Sequence, residues 1–269
     1  MRRTLIATTI AVLAAISIIA AWPKLRPRPR TAHEIRQELL DEVWPVALKN
    51  CMLERIGKHN DGGYLVCGNL LGNVRSAYSY GIAGEDSWGC EMSRRLHVIV
   101  HQYDCFDPTR PVCEEGQQDF HDECVGAKPE TIESRFFDSV ANQIQKNGDT
   151  GKTLVVKMDV EGAELDSLGV MPDELLDKFD QLVMELHAAD ERYLNLVKKL
   201  KRSFVPIHLH FNNSRCTTQF KPFPSFVYEV SFVNKRLAVV DTNAPRPTLP
   251  RPLDEQNTSF HVDCQTLVQ

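Results

Sequence analysis

Short apolar segments alternate with amphipathic ones along this chain, which indicates strands alternating with helices. Short apolar runs predict strands at 64–67, 77–82, 98–103, 120–125, 154–158, 181–186, 205–211, 226–233 and 237–240. Apolar residues three and four positions apart predict helices from a cap at Thr31 to near Pro45, and at 87–96, 131–146, 164–168, 172–179 and 190–201. Such alternation is typical of stacked βαβ units, so we expect an α/β fold with a mostly parallel sheet and flanking helices.

The strand that starts at Leu154 ends abruptly in acidic residues. Asp159, Glu161 and Glu164 lie within six residues of one another and surround Gly162. A short valine-rich run is typical of a strand buried on both faces, and ligands of open α/β sheets bind beyond the carboxyl ends of such strands. The pattern therefore predicts a functional site here, although the helix dipole alone also favours an acid at Glu164.

A glycine-bearing turn follows the strand predicted at 77–82. Gly81 and Gly84 allow a ligand to approach the backbone, and Asp104 ends the next predicted strand about twenty residues later. A carboxylate at that distance is typical of sites that bind the ribose of a nucleoside cofactor. The same pattern is also compatible with a plain tight turn between a strand and a helix, so it does not decide the function.

The N-terminal segment predicts a membrane anchor. Residues 4–21 are apolar and uncharged, Arg2 and Arg3 precede them, and proline alternates with basic residues over 23–30. We expect a signal anchor or transmembrane helix at 1–22 and an extended stalk at 23–30. A cleaved signal peptide is the alternative, and the basic stalk would by itself favour a cytosolic body.

Cysteine content favours the opposite orientation. Eight cysteines are scattered without C-x-x-C pairs, which is typical of disulfides formed in an oxidising lumen, although buried cysteines also serve as small apolar residues. Two glycosylation sequons begin at Asn212 and Asn257, and Asn257 is the better candidate if Asn212 belongs to the site. We therefore expect a single-pass membrane protein of the Golgi or the endoplasmic reticulum with a lumenal catalytic domain.

Charge argues against a nucleic-acid partner. The chain has a formal net charge of -5. The first thirty residues contain six basic residues and no acid, so the net charge of the remaining residues is -11. A body this acidic is a poor candidate for neutralising phosphates.

Several segments, taken together, resemble the motifs of a known family. Residues 78–88, 103–108 and 157–164 are similar to motifs of FkbM-type S-adenosylmethionine-dependent methyltransferases, in particular the animal methyltransferase-like group. Segments 61–64, 184–187, 208–213 and 228–230 resemble further blocks of that family. The resemblance extends from about 55 to 240 in one consistent order, and within 31–241 it implies a class I methyltransferase domain with a Rossmann-like sheet.

The resemblance also implies a cofactor site for S-adenosyl-L-methionine. The residues expected to line its methionine half are Gly81, Ala83, Asp86, Ser87 and Trp88. Asp104 would hold the ribose, Phe106 would lie beside the adenine, and Asp122 is a candidate for the adenine amino group. The chain departs from the family pattern at Ala83-Gly84, where a second glycine often stands one residue earlier.

Transfer of a methyl group to a hydroxyl requires positioning and removal of a proton. A general base contributes typically about 10²–10⁴-fold. The candidates are Asp159, Glu161, His187 and His210. We expect the two acids to orient the acceptor or a divalent cation and one histidine to act as base, whereas His101, His121 and His208 are interpreted as structural. The acceptor would be an unidentified glycan or small molecule.

Two other functions remain open at this point. A lumenal sugar-nucleotide-dependent glycosyltransferase would use Asp159-Val160-Glu161 as its metal motif, and an inactive relative would keep only the fold. A nicotinamide-dependent oxidoreductase is disfavoured because the turn lacks G-x-G-x-x-G spacing. The segment 242–269 is expected to be irregular and tethered through Cys264.

Overall fold

A seven-stranded sheet forms the centre of the computed structural model, which describes residues 28–264. The strands of the chain are β1 (Leu53–Ile56), β2 (Tyr64–Cys67), β3 (Ser76–Tyr80), β4 (Ile99–Tyr103), β5 (Gln117–His121), β6 (Cys124–Gly126), β7 (Glu130–Ile132), β8 (Arg135–Ser139), β9 (Leu154–Met158), β10 (Phe179–Leu186), β11 (Phe204–Phe211) and β12 (Tyr228–Asn234). The helices are α1 (Ala32–Val43), α2 (Ser87–Leu96), α3 (Val140–Lys146), α4 (Glu164–Val170), α5 (Asp173–Leu176) and α6 (Glu191–Leu200).

The central sheet has the order β11-β12-β10-β9-β3-β4-β5. β12 is antiparallel to β10 and β11, whereas the five strands β10, β9, β3, β4 and β5 are parallel to one another. The prediction of a mostly parallel α/β sheet with flanking helices is therefore confirmed, and the arrangement is compatible with a Rossmann-like fold. The predicted anchor at 1–22 and most of the stalk at 23–30 lie outside the described residues.

Alternate residues of the central strands pack into two separate cores. Tyr78, Val156 and Met184 face one side, where they contact buried residues of α1, α3, α4 and α6. Ala77 and Val155 face the other side, which is covered by α2 and the β1–β2 hairpin. Both faces of the parallel strands are thus buried, which explains their nearly continuous apolar sequences.

The prediction of a helix at 131–146 is wrong for the first half of that segment. Residues 130–139 form the strands β7 and β8 of a small three-stranded sheet with β6, and only Val140–Lys146 is helical. Ile132 and Phe136 fit a helical period, but they are 48% and 38% exposed. The chain turns between them because Glu133 and Ser134 both adopt positive φ.

Three other predicted boundaries also differ from the structure. The strand predicted at 120–125 is two strands, because the chain leaves the central sheet after His121 and enters the small sheet at Cys124. The segment 237–240 forms only an isolated bridge between Val240 and Leu48. The helix predicted at 172–179 is limited to α5, since Phe179 already begins β10.

All eight cysteines form disulfides, as the sequence predicts. The pairs are Cys51–Cys67, Cys90–Cys113, Cys105–Cys124 and Cys216–Cys264. Such pairing is typical of an oxidising, secretory-type environment. Within residues 28–264, no helix is both long and apolar enough to span a membrane.

The C-terminal segment after Thr242 has no helix or strand up to Cys264, as predicted, yet it is fixed to the sheet. Cys264 is bonded to Cys216, and the Asp254 carboxylate lies 2.5 Å from His208 Nε2, with both side chains 3% exposed. Asn257 is buried and donates its amide hydrogens to Glu229 and Asp61. The preference for Asn257 over Asn212 as the candidate glycan site rested on its place in an irregular tail, but both asparagines are buried in the structure.

We predict that Asp254→Ala destabilises the protein by about 3 kcal/mol or more, because it leaves His208 buried without its partner. Burial would raise the pKa of Asp254, but its hydrogen bond to His208 and the charge of His208 outweigh burial and lower the pKa. The stabilisation is therefore fully present above the unfolded-state pKa of about 4 and is lost as the pH falls through the folded-state value. Urea unfolding at several pH values measures both effects.

The matched control is Asp263→Ala, which removes an exposed carboxylate from the same segment. An equal and small loss of stability in both variants would contradict a stabilising role for the Asp254–His208 pair.

Candidate functional site

A cavity of about 350 Å³ lies beyond the carboxyl ends of β3, β4 and β9. Its lining residues are Tyr80, Gly81, Ala83, Tyr103, Asp104, Cys105, Phe106, Glu123, Cys124, Val125, Phe137, Asp159, Val160, Glu161 and Ala163. β3 lies between β4 and β9 in the sheet. After β3 the chain adds β4 and β5 towards one edge, whereas β9 and β10 extend towards the other. Open α/β sheets bind ligands at such a switch point, and this volume falls within the usual size of a ligand pocket.

The turn after β3 forms one wall of the cavity through close backbone contacts. Gly81 N donates to Tyr103 O over 2.9 Å, and Asp159 N donates to Tyr80 O over 3.1 Å. Gly81 has φ of 71°, and a Cβ there would overlap the carbonyl oxygen of Asp159. Glycine is therefore required at position 81, because the turn and the end of β9 lie in direct contact.

Asp104 holds the loops of this wall together. Its Oδ2 accepts hydrogen bonds from the N–H groups of Ile82 and Ala83, and its Oδ1 accepts from Phe106 and Asp107. Four backbone donors therefore converge on one carboxylate that also lines the cavity. The Asp104 carboxylate thus has a structural role in fixing the backbone of the site, whether or not it also contacts a ligand.

The opposite wall is aromatic and apolar. Tyr103, Phe106 and Phe137 line it together with the Cys105–Cys124 disulfide. The Phe106 side chain is 73% exposed, and the Arg135 guanidinium lies 4.4 Å from its ring centroid. Such a wall suits a flat, weakly polar ring. Phe137 was missed by the sequence analysis because its segment was predicted as helix.

Four residues expected to contact a cofactor do not line the cavity. Asp86 caps α2 by accepting from Gly89 N, and it also accepts from the Gln102 amide. Trp88 is 1% exposed and packs in the core, and Ser87 accepts from the backbone N–H of Lys58. Asp122 is exposed outside the cavity, and its neighbour Glu123 lies on the lining instead.

Asp159 and Glu161, which line the cavity, lie close to His187, which does not line it. His187 Nε2 lies 3.3 Å from Glu161, 3.7 Å from Asp159 and 3.2 Å from Glu185 Oε1. Glu185, near the end of β10, lies in the segment 184–187 that resembles a family block, but it was not predicted as a site residue. The sequence pattern that could have identified Glu185 is the one that identified Asp159, namely an acid at the carboxyl end of a buried strand.

His210 lies deeper in the structure, away from the cavity. It is paired in register with Glu229, which in turn is paired with Glu185, so that the three residues follow one row across β11, β12 and β10. His210 Nδ1 lies 3.5 Å from Glu229 Oε2. The structure thus brings Asp159, Glu161 and His187 together and places His210 at the far end of a buried polar row.

Burial and neighbouring charges shift the pKa values of the acid–base groups around Glu185. Burial, reinforced by Asp159 and Glu229, raises the pKa of Glu185 to about 7. Burial would lower the pKa of His187, but the hydrogen bond to Glu185 and the charges of Glu185, Glu161 and Asp159 raise it to about 9. Burial also raises the pKa of Asp159. His187 therefore carries its proton at neutral pH, which favours a carboxylate rather than this histidine as proton acceptor.

Two groups of side chains in this region have the composition of divalent-cation ligands. The ligand atoms of Asp159, Glu161 and His187 all lie within 4.8 Å of one another, and so do those of Asp61, Glu185 and Glu229. Carboxylate oxygens and imidazole nitrogens bind divalent cations of several kinds. The first of these groups includes two residues of the cavity lining, so a cation bound there would lie beside the cavity.

Comparisons with known proteins identify no family for this chain. No protein-family model matches it, and a search of curated proteins finds no match. The site geometry and the motif resemblance are thus the two grounds on which a function can be proposed.

We predict that the imidazole of His187 remains protonated up to about pH 9 in an NMR titration of the histidine side chains. In Glu185→Gln, its pKa should fall, because the main partner that raises it is lost and burial then has more weight. Glu174→Gln, which changes an exposed acid far from the site, is the control. An unchanged His187 titration in Glu185→Gln would contradict the charge pairing described here.

Proposed function

We propose that the chain is an S-adenosylmethionine-dependent methyltransferase that methylates a hydroxyl group of a glycan or small molecule. The observation that carries this proposal is the cavity at the ends of β3, β4 and β9. Eleven of its fifteen lining residues belong to the three segments, 78–88, 103–108 and 157–164, whose sequences resemble methyltransferase motifs. The segments that resemble methyltransferase motifs thus meet at the switch point of the sheet, where α/β folds bind their ligands.

The lining residues fit the parts of this cofactor. The glycine turn exposes backbone beside the cavity, Tyr103, Phe106 and Phe137 offer aromatic surface for an adenine ring, and Asp159 and Glu161 offer negative charge near a sulfonium. S-adenosylmethionine, when bound, would supply an electrophilic methyl group. The protein's part is then to orient the acceptor in line with that methyl group and to exclude water.

The acidic end of the cavity is suited to proton handling. His187, which carries a proton at neutral pH, can donate a hydrogen bond to an acceptor oxygen and orient it. Asp159 and Glu185, whose pKa values are raised by burial, are better matched to accept the hydroxyl proton than ordinary carboxylates. Alternatively, a divalent cation held by Asp159, Glu161 and the deprotonated His187 would take over this orienting role from the histidine proton.

A sugar-nucleotide-dependent glycosyltransferase is the second candidate. The proximity of Asp159, Glu161 and His187 favours it, because such enzymes use acids to hold a cation against a diphosphate. The same cavity would then take a nucleoside diphosphate, whose base would lie against the aromatic wall.

The proposed location is the lumen of the Golgi or endoplasmic reticulum, with residues 1–22 as a single membrane anchor. The four disulfides support an oxidising compartment. The expected acceptor would then be a glycan hydroxyl rather than a cytosolic metabolite.

We predict that S-adenosylhomocysteine binds the purified protein in a calorimetric titration. Phe106→Ala should weaken its affinity by about 1–3 kcal/mol, or roughly 5- to 150-fold, which is the usual effect of losing an aromatic platform under a base. Phe106 is largely exposed, so the fold should not depend on its side chain.

The matched control is Val112→Ala, which removes another exposed apolar side chain of the same loop outside the cavity. A parallel titration uses a sugar nucleotide with Mn²⁺. Binding of the sugar nucleotide alone would favour the glycosyltransferase, and binding of neither ligand to folded protein would indicate an inactive relative.

A further inference from the structure

A third group of potential ligands lies at the edge of the sheet, apart from the two groups beside the cavity. His101 on β4 is in register with Asp119 on β5, and His121 follows Asp119 by two residues on the same face of β5. Three ligand atoms meet there: His101 Nδ1, His121 Nε2 and Asp119 Oδ2. The sequence analysis interpreted both histidines as structural, and the proposed methyl transfer does not use them.

The three atoms form a nearly equilateral triangle. The Asp119 carboxylate lies 3.3 Å from each histidine nitrogen, and the two nitrogens lie 3.4 Å apart. In a tetrahedral zinc site with bonds of about 2.0–2.1 Å, neighbouring ligands are separated by about 3.3–3.4 Å. An octahedral site with the same bond lengths would require about 2.8–3.0 Å. The spacing therefore matches tetrahedral coordination.

The surroundings of His101 complete the pattern of a zinc ligand. Its second nitrogen, Nε2, lies 3.4 Å from Asp149 Oδ2, and Asp149 is fully buried. Metal-binding histidines commonly direct their other nitrogen to a carboxylate, which fixes the ring and makes it a stronger ligand. The Tyr78 hydroxyl also donates to Asp149 Oδ2, over 3.0 Å, so this carboxylate is itself held in place.

Solvent can reach the fourth position of the site. The His101 side chain is 7% exposed, but the side chains of His121 and Asp119 are 22% and 54% exposed. Two histidines and one carboxylate leave one position of a tetrahedron for water. The rings of His121 and Tyr103 are stacked 4.4 Å apart, so the site lies directly behind an aromatic residue of the cavity wall.

We propose that His101, His121 and Asp119 bind one Zn²⁺ ion, with water as the fourth ligand and Asp149 as the hydrogen-bond partner of His101. The ion connects β4 to the edge strand β5 and thereby fixes the wall that contains Tyr103. Neither a cofactor in the cavity nor a cation at Asp159 is needed for it.

The test is a titration of the chelator-treated full-length protein with Zn²⁺ alone, followed by Co²⁺ as a spectroscopic probe. We expect one tight equivalent of Zn²⁺ at this site and the intense visible absorption of tetrahedral Co²⁺. Asp119→Ala and His121→Ala should each weaken the binding at least tenfold, and Asp149→Asn should weaken it about 10- to 100-fold.

The controls are Glu115→Ala, an exposed acid just before β5, and His261→Ala, an exposed histidine, and both should leave Zn²⁺ affinity unchanged. Asp119 is largely exposed, so Asp119→Ala should fold and provide a decisive result even if His121→Ala does not. The proposal is overturned if Zn²⁺ does not bind, if binding persists in Asp119→Ala, if Glu161→Ala abolishes it, or if Co²⁺ shows only weak octahedral absorption.

Discussion

The contact between the turn after β3 and the end of β9 is the constraint on which the site depends. Gly81 lies so close to the carbonyl of Asp159 that no side chain fits between the two strands. This contact sets the ends of β3 and β9 at one level, and the chain then diverges, into α2 on one side and into α4 on the other. The cavity is the space that this divergence leaves between the two connections.

The buried acids beside the cavity impose a second constraint. Glu185 and Glu229 are directly opposite each other on antiparallel strands, where like charges are destabilising. Asn212 donates to Glu185, while Asn257 donates to Glu229 and His210 lies beside it. Asn257 comes from the irregular C-terminal segment, so that segment completes the polar network of the sheet. The disulfide and the Asp254–His208 pair hold the same segment against the sheet.

The strands of the central sheet and the acids at their ends were predictable from the sequence, because buried parallel strands are short apolar runs with abrupt polar ends. The hairpin of β7 and β8 was not predictable in this way. Ile132, Phe136 and Val140 fit a helical period, and only the positive φ of Glu133 and Ser134 breaks it. Local periodicity cannot reveal a turn made by ordinary residues.

The contacts that depend on strand register were also beyond the sequence. Asp119 and His121 are neighbours on one strand, but their distance from His101 depends on how β5 is aligned with β4. The pairing of eight cysteines is undetermined for the same reason, since spacing alone does not specify which chain segments meet. Both features depend on pairings between segments that are distant in the sequence.

The walls of the cavity differ in origin, and this difference bears on selectivity. The glycine turn, Asp104 and Asp159 belong to the sheet and its turns, and they can serve any nucleoside ligand of an α/β fold. Cys124, Val125 and Phe137 come from the small sheet after β5, and the Cys105–Cys124 disulfide joins that sheet to the loop after β4. The shape of the cavity therefore depends on the small sheet as well as on the strand ends of the central sheet. Under either of the two proposed functions, this wall would determine which of the two ligands the cavity accepts.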